Sequence, residues 1–149
     1  MTPRSIRNNN PLNIRRTADR WRGLASEQTD SQFFQFQTMA WGWRAAFIIL
    51  TRTYYFKYHL GSIRKIIGRW APPSENKTND YVARVSLLTH IDADHQLDPP
   101  SIAPTDWMKI ATAMAIVEAG SQQSLDYFGM LEGWKMAYES TLKGSYKHE

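Results

Sequence analysis

Two kinds of side chain in this 149-residue chain could do chemistry: an acid set against an apolar run, and a cluster of amides near the start. Glu118 closes the run Ala113-Met114-Ala115-Ile116-Val117 and is followed by Ala119-Gly120, so it falls at a helix C-terminus, where a carboxylate opposes the macrodipole. A carboxylate desolvated in that way holds its proton, as a general acid must. The alternative is an exposed Glu at a frayed helix end. The second group is Ser5-Ile6-Arg7-Asn8-Asn9-Asn10-Pro11-Leu12-Asn13-Ile14-Arg15. Here four asparagines and two arginines surround one Pro-Leu step, with only Ile6, Leu12 and Ile14 as apolar anchors. Asparagine favours turns because its amide bonds the local backbone, and Pro11 pushes Asn10 towards an extended conformation. The stretch reads as a turn feeding a short strand, with amides lining a groove for hydroxyl and acetamido groups. A capped, solvated turn is the alternative.

These groups need elements to position them. Asn13-Ile14-Arg15, Arg20-Trp21-Arg22-Gly23 and Gln32-Phe33-Phe34-Gln35-Phe36 are short segments parted by polar turns. Phe34 and Phe36 alternate with Gln35 and Gln37 at the period of a half-buried strand. They predict a two- or three-stranded meander near the N-terminus. From Thr38, a plausible N-cap, the period becomes helical. Met39, Trp43, Ala46, Phe47, Leu50 and Tyr54 form a core-facing stripe, with Arg44, Arg52 and Lys57 opposite. Ser62 caps a helix bearing Ile63, Ile66, Ile67 and Trp70, which Pro72-Pro73 stops. Glu75 lies in the turn before the next helix, whose apolar face is Tyr81, Val82, Val85 and Leu88; capping support is its structural role there. His90 to Pro104 reads as a solvated loop, since Asp92, Asp94 and Asp98 lack the glycine and terminal Glu of a calcium site. Thr105-Asp106 begins the helix ending at Glu118. A last helix after Ser124 is expected to turn Leu125, Phe128, Leu131, Trp134 and Tyr138 inwards. The fold class is therefore mainly α, an α+β domain spanning residues 1–149 with a loose tail over about 143–149.

Composition narrows the function. There is no cysteine, which excludes disulfides and thiolate metal sites, and no cofactor or metal is expected. No stretch approaches the ~20 apolar residues of a membrane span, and no apolar signal segment follows Met1. The net charge of +4 and pI near 9.4 suit an anionic partner. The basic residues look scattered along the chain, so nucleic acid is not the expected partner.

Asn8-Asn9-Asn10-Pro11-Leu12-Asn13-Ile14-Arg15 resembles the Asn-Asn-Pro-Gly-Asn-Ile/Leu-Arg signature of small phage virion proteins, the structural protein P5-like group associated with peptidoglycan lysis. Arg69-Trp70-Ala71-Pro72-Pro73-Ser74-Glu75-Asn76-Lys77-Thr78 and Tyr81 match the same group. Leu12 stands where that group has glycine, so the turn must form without glycine's freedom. Thr78-Asn79-Asp80-Tyr81-Val82-Ala83-Arg84-Val85 is also similar to the Glu-Thr-x-x-Tyr-Val-x-x-Val segment of lytic transglycosylases. Ala115-Ile116-Val117-Glu118-Ala119-Gly120 is similar to their catalytic Ile-Ala-x-x-Glu-Ser-Gly, with Ala for Ser. The motif order is reversed here, so the resemblance implies a circularly permuted lysozyme-like helical domain.

It further implies a peptidoglycan-degrading enzyme that cleaves between N-acetylmuramic acid and N-acetylglucosamine, as lytic transglycosylase or muramidase. Glu118 would be the acid. Glu75 would be the second carboxylate that an inverting hydrolase needs ~6.5–9.5 Å away. Asn8, Asn10 and Asn13 would hold N-acetyl and hydroxyl groups, Thr78 and Tyr81 would meet the sugar, and Arg15 would meet a lactyl or peptide carboxylate. Peptidoglycan glycan strands would be the partner, with delivery to the wall or periplasm by a virion or secretion apparatus after cytoplasmic synthesis. The alternatives are a peptidoglycan endopeptidase and a non-catalytic wall-binding virion protein.

Overall fold

The computed structural model describes residues 2–71, 74–120 and 126–142, with the side chains of residues 75–76 and 139–142 outside the description. Its helices are α1 (Arg4–Arg7), α2 (Met39–Ile48), α3 (Ile63–Trp70), α4 (Glu75–Thr89), α5 (Pro104–Ala119) and α6 (Tyr127–Leu142). A π-helical segment, Ile49–Lys57, continues α2. The chain separates into two compact units: residues 1–49 with 118–149, and residues 50–117.

In the first unit α2 starts as its sequence dictates, with Thr38 extended and its hydroxyl accepting the Trp41 N–H at 3.4 Å. Trp43, Ala46 and Phe47 are buried as the periodicity requires. Against them packs α6, but on a different face from the one expected. Phe128, Leu131 and Tyr138 are exposed, and Met130, Gly133 and Ala137 are buried; Leu125 lies outside the described residues. Backbone proximity decided the rotation. A Cβ on Gly133 would stand 2.5 Å from the Trp43 Cβ and 2.8 Å from the Ala40 carbonyl oxygen, so the helices cross at a position that only glycine fits. Apolar periodicity follows the large side chains and misses a seam built from small ones. Phe47 meets the Trp134 ring edge-on at 5.0 Å. Arg44, expected outward, is buried with its guanidinium 5.9 Å from the Trp41 ring centroid. Burial, aided by Arg22, draws its pKa below the usual arginine value.

Among the described residues there is no strand or sheet, which corrects the expected β region and the α+β class: the protein is helical. The short segments meet only in isolated antiparallel bridges, Arg15 with Phe33 and Leu24 with Phe36. Backbone bonds join the segments at single points, Phe34 N–H to the Ile14 carbonyl at 3.0 Å and Ala25 N–H to the Gln35 carbonyl at 2.9 Å, and side-chain amides complete the pairing between them. Gln28 Oε1 accepts the Gln35 N–H at 2.8 Å, and Gln28 Nε2 donates to the carbonyls of Gln35 and Ala25 at 2.7 and 3.0 Å. Asn10 Nδ2 donates to the carbonyls of Ile14 and Phe34 at 3.0 and 2.9 Å, while its Oδ1 accepts the Ile14 N–H at 2.9 Å. Backbone groups that must be paired when buried are thus satisfied without a ladder.

The second unit is built on the isoleucines of α3, which with Val82, Val85, Leu97, Trp107, Ile110 and Met114 are buried. Ser62 caps α3 through the Lys65 N–H at 3.3 Å. His90 ends α4 in a left-handed conformation, φ 59°, and Asp94 of the following loop pairs with Arg64 at 2.7 Å. The Trp107 indole donates to the Asp98 carbonyl at 2.9 Å, and Tyr55 meets the Trp107 ring edge-on at 5.1 Å. No described helix is long and apolar enough to cross a membrane.

Candidate functional site

The amide-rich start of the chain is a folded turn pressed against α2. Its short helix α1 hands over at Asn8, and the Asn10 N–H returns to the Ser5 carbonyl at 2.9 Å. Asn9 and Asn13 both adopt φ 52°. Asparagine tolerates this left-handed region better than other residues with a side chain. These two flanking asparagines supply the backbone freedom missing at Leu12, which is fully buried as the turn's apolar anchor. Gly42 on α2 makes the seat. A Cβ there would overlap the Asn9 carbonyl oxygen and come within 2.8 Å of Pro11 Cδ.

From that seat Asn13 reaches the end of α5. Its Nδ2 donates to Glu118 Oε1 at 3.0 Å, across 105 positions of sequence. Both residues are half-buried, and α5 ends one residue later at Ala119, ahead of Gly120 at φ 80°. Asn13 Oδ1 is buried and has no hydrogen-bond partner. The Asn13 amide thus bonds the carboxylate with one acceptor still unused. The amide donates to the carboxylate as drawn, and rotated by half a turn it can accept from the carboxylic acid.

A second carboxylate fastens the turn from the other side. Asp30 receives Arg4 Nε and Nη2, each at 2.6 Å, in a bidentate pair. It also accepts Asn8 Nδ2 at 2.9 Å and the backbone N–H groups of Gln32 and Phe33 at 2.9 and 3.0 Å. Arg4 first, with Asn8 and the two backbone donors, holds the Asp30 carboxyl far below the ordinary carboxylate range. Beside it the half-buried Phe33 ring carries Arg4 at 4.7 Å and Arg15 at 5.2 Å from its centroid.

The residues singled out from sequence fall into distinct places. Asn13 and Glu118 are brought together, and Arg15 is exposed two residues from Asn13. Asn10 is fully buried with both amide hydrogens and its oxygen bonded to backbone, and Asn8 spends its amide on Asp30 and on Gln35, whose Nε2 donates to Asn8 Oδ1 at 3.2 Å. These two hold the turn together. In the second unit the Tyr81 hydroxyl is buried and donates to the Met114 carbonyl of α5 at 3.4 Å, and Thr78 is half-exposed in the first turn of α4. Glu75 is the first residue of α4, and its side chain lies outside the described residues. Sequence reading passed over Asp30 and Gly42. Asp30 lies in one of the polar turns between the short segments, and its carboxylate accepts the N–H groups two and three residues on, as in an Asx turn. Gly42 interrupts an otherwise strong helical stretch, which is the signal for a close backbone approach.

No family model matches the chain. It is 40% identical over 121 residues to Protein P5 of Pseudoalteromonas phage PM2, an alignment covering 79% of this chain and 72% of that protein. That supports the phage side of the resemblance and not the lytic-transglycosylase side.

Proposed function

The chain belongs to the family of phage protein P5, and from that premise we propose that it is a virion-associated protein of the bacterial cell wall that cuts the glycan strand, with Glu118 as the acid. The observation that carries this reading is the hydrogen bond from Asn13 of the signature turn to Glu118. Glycosidic cleavage needs a proton delivered to the leaving oxygen and stabilisation of an oxocarbenium-like state. Glu118, protonated and accepted by the rotated Asn13 amide, delivers that proton. The resulting carboxylate is then met by Asn13 Nδ2 in the geometry seen here, and it takes a proton from the attacking group in the second step. With one carboxyl in both roles, the sugar's own 6-hydroxyl is the attacking group and an anhydro-muramyl end is the product. Arg15, exposed beside Asn13, would meet a lactyl or peptide carboxylate of the strand.

A second reading has its own support. Membership of a phage protein family fits a virion protein that binds the wall and cuts nothing, and the commitment of Asn8 and Asn10 to the fold leaves fewer groups for a sugar. Digestion of purified sacculi, followed by mass analysis of what is released, separates the two. Anhydro-muramyl ends that vanish in Glu118→Gln, with the melting temperature nearly unchanged, would carry the first reading. Free amines would mean an endopeptidase, and binding with no release would mean the structural protein. Loss of activity in Glu75→Gln alone would move the acid to Glu75.

A further inference from the structure

The excess positive charge of this chain is not spread along it. Residues 1–49 contain seven arginines, no lysine and three acidic residues, a net of +4 equal to that of the whole chain, while the other hundred residues carry eleven charges of each sign. Folding gathers part of this set. Arg4 and Arg15 lie on the Phe33 ring, and Arg16 Nη1 donates to the Asp30 carbonyl at 3.0 Å, so three guanidinium groups surround the Asp30–Phe33 turn. Asp30 is matched by Arg4, which leaves the charges of Arg15 and Arg16 in excess there. Arg7, Arg20 and Arg22 are exposed as well, and Arg22 lies 5.5 Å from the Trp41 ring centroid.

We propose that the arginines around this turn form a face that binds the phosphodiester backbone of double-stranded nucleic acid, without regard to sequence. The exclusive use of arginine suits phosphate, which the planar guanidinium grips in two places. Ring and carbonyl contacts already hold Arg15 and Arg16 in position, so less side-chain freedom is lost on binding. The rings serve the arginines and are half-buried, so they offer no platform for stacked bases and the contact is with backbone alone. A lipid surface fits less well. None of the exposed large apolar residues falls within the described part of residues 1–49, and an interfacial segment needs such residues to enter the headgroup layer. The closely spaced phosphates of a duplex, one charge per ~1.7 Å of axis, suit Arg15 and Arg16, two exposed cations held at one turn.

The test is fluorescence anisotropy of the full chain with a labelled duplex of arbitrary sequence, at salt from about 50 to about 200 mM. Binding should weaken steeply with salt, by about 0.9 log units per log unit of salt for each phosphate contacted. Arg15→Gln/Arg16→Gln should reduce that slope by about 1.8. Lys65→Gln/Lys109→Gln, which removes the same charge from exposed sites elsewhere, should leave it unchanged. Glu118→Gln should also bind as the parent does, which keeps this result separate from the sugar chemistry. Absence of salt-dependent binding overturns the proposal, as does an equal loss in both double variants. Displacement of the duplex by teichoic acid at a lower phosphate concentration transfers the face to a wall polymer and overturns it too.

Discussion

Gly42→Ala is the change that should damage the candidate site most from a distance. Alanine improves helix propensity by about 1 kcal/mol, so on local grounds α2 would gain. Tertiary contact reverses the sign. The new Cβ would overlap the Asn9 carbonyl oxygen and press Pro11 Cδ at 2.8 Å, where ordinary contact begins near ~3.5 Å. Neither neighbour is the end of a flexible side chain, so the turn must lift from the helix by roughly 1 Å. Overpacking against backbone sits towards the upper end of a range of about 1–3 kcal/mol, which leaves a net loss of about 2 kcal/mol. For a chain of this length that is a fall in melting temperature of about 4–8 °C. The same lift carries Asn13 away from Glu118. Their 3.0 Å hydrogen bond would pass ~3.5 Å and cease to be one, and a displacement of that size costs about 100-fold in rate where geometry sets catalysis. Thermal melts and sacculus digestion read the two effects separately. A Gly42→Ala protein as stable and active as the parent would refute both the seat and the pairing it supports. Lost stability with full activity would refute the pairing alone.

Asp30→Asn should cost about 2 kcal/mol, the worth of charge-assisted bonds that an amide cannot replace. The folded carboxyl lies below its unfolded value, so its contribution is complete above the unfolded pKa of ~3.9 and is lost as pH falls through the folded one. The gap in melting temperature between parent and variant should therefore be flat from about pH 5 to pH 7 and shrink under more acid conditions. A gap that is unchanged in acid would contradict the Arg4–Asp30 assignment. Gly133→Ala should lower the melting temperature by a similar amount to Gly42→Ala, because its Cβ would sit 2.5 Å from Trp43 Cβ and 2.9 Å from the Arg44 nitrogen; unchanged stability would mean that α6 does not pack there.

The helices were legible where a cap and a repeating apolar face coincided. Thr38 and Ser62 cap as their sequence promises, and the stripe from Trp43 to Tyr54 is buried. The N-terminal part misled for a physical reason. Phe34 and Phe36 do alternate with glutamines, and both are buried, so the period of two was real. That segment, however, meets its neighbours only in isolated bridges, with the Gln28 and Asn10 amides bonding backbone groups in between, and periodicity carries no trace of such pairing. For the candidate site, the sequence marked Asn13 and Glu118 separately, and the hydrogen bond that joins them came only with the fold. The burial of Asn8 and Asn10 was not, because an amide that binds a sugar and one that binds a carbonyl look alike in sequence. Arg44 and the face of α6 were misjudged because glycine at 133 counts for nothing in a hydrophobic repeat.

The buried Asn10 has a chemical as well as a structural consequence. Hydrolysis of its amide would place a carboxylate oxygen against the carbonyls of Ile14 and Phe34, which now receive its two hydrogens, and the repulsion would open the fold from within. The usual route to such damage is attack of the following backbone nitrogen on the side chain, closing a five-membered imide. That nitrogen here belongs to Pro11, which has no hydrogen to lose, so the ring cannot close in this way. The asparagine that this protein can least spare is thus shielded by its own neighbour from the commonest form of spontaneous ageing.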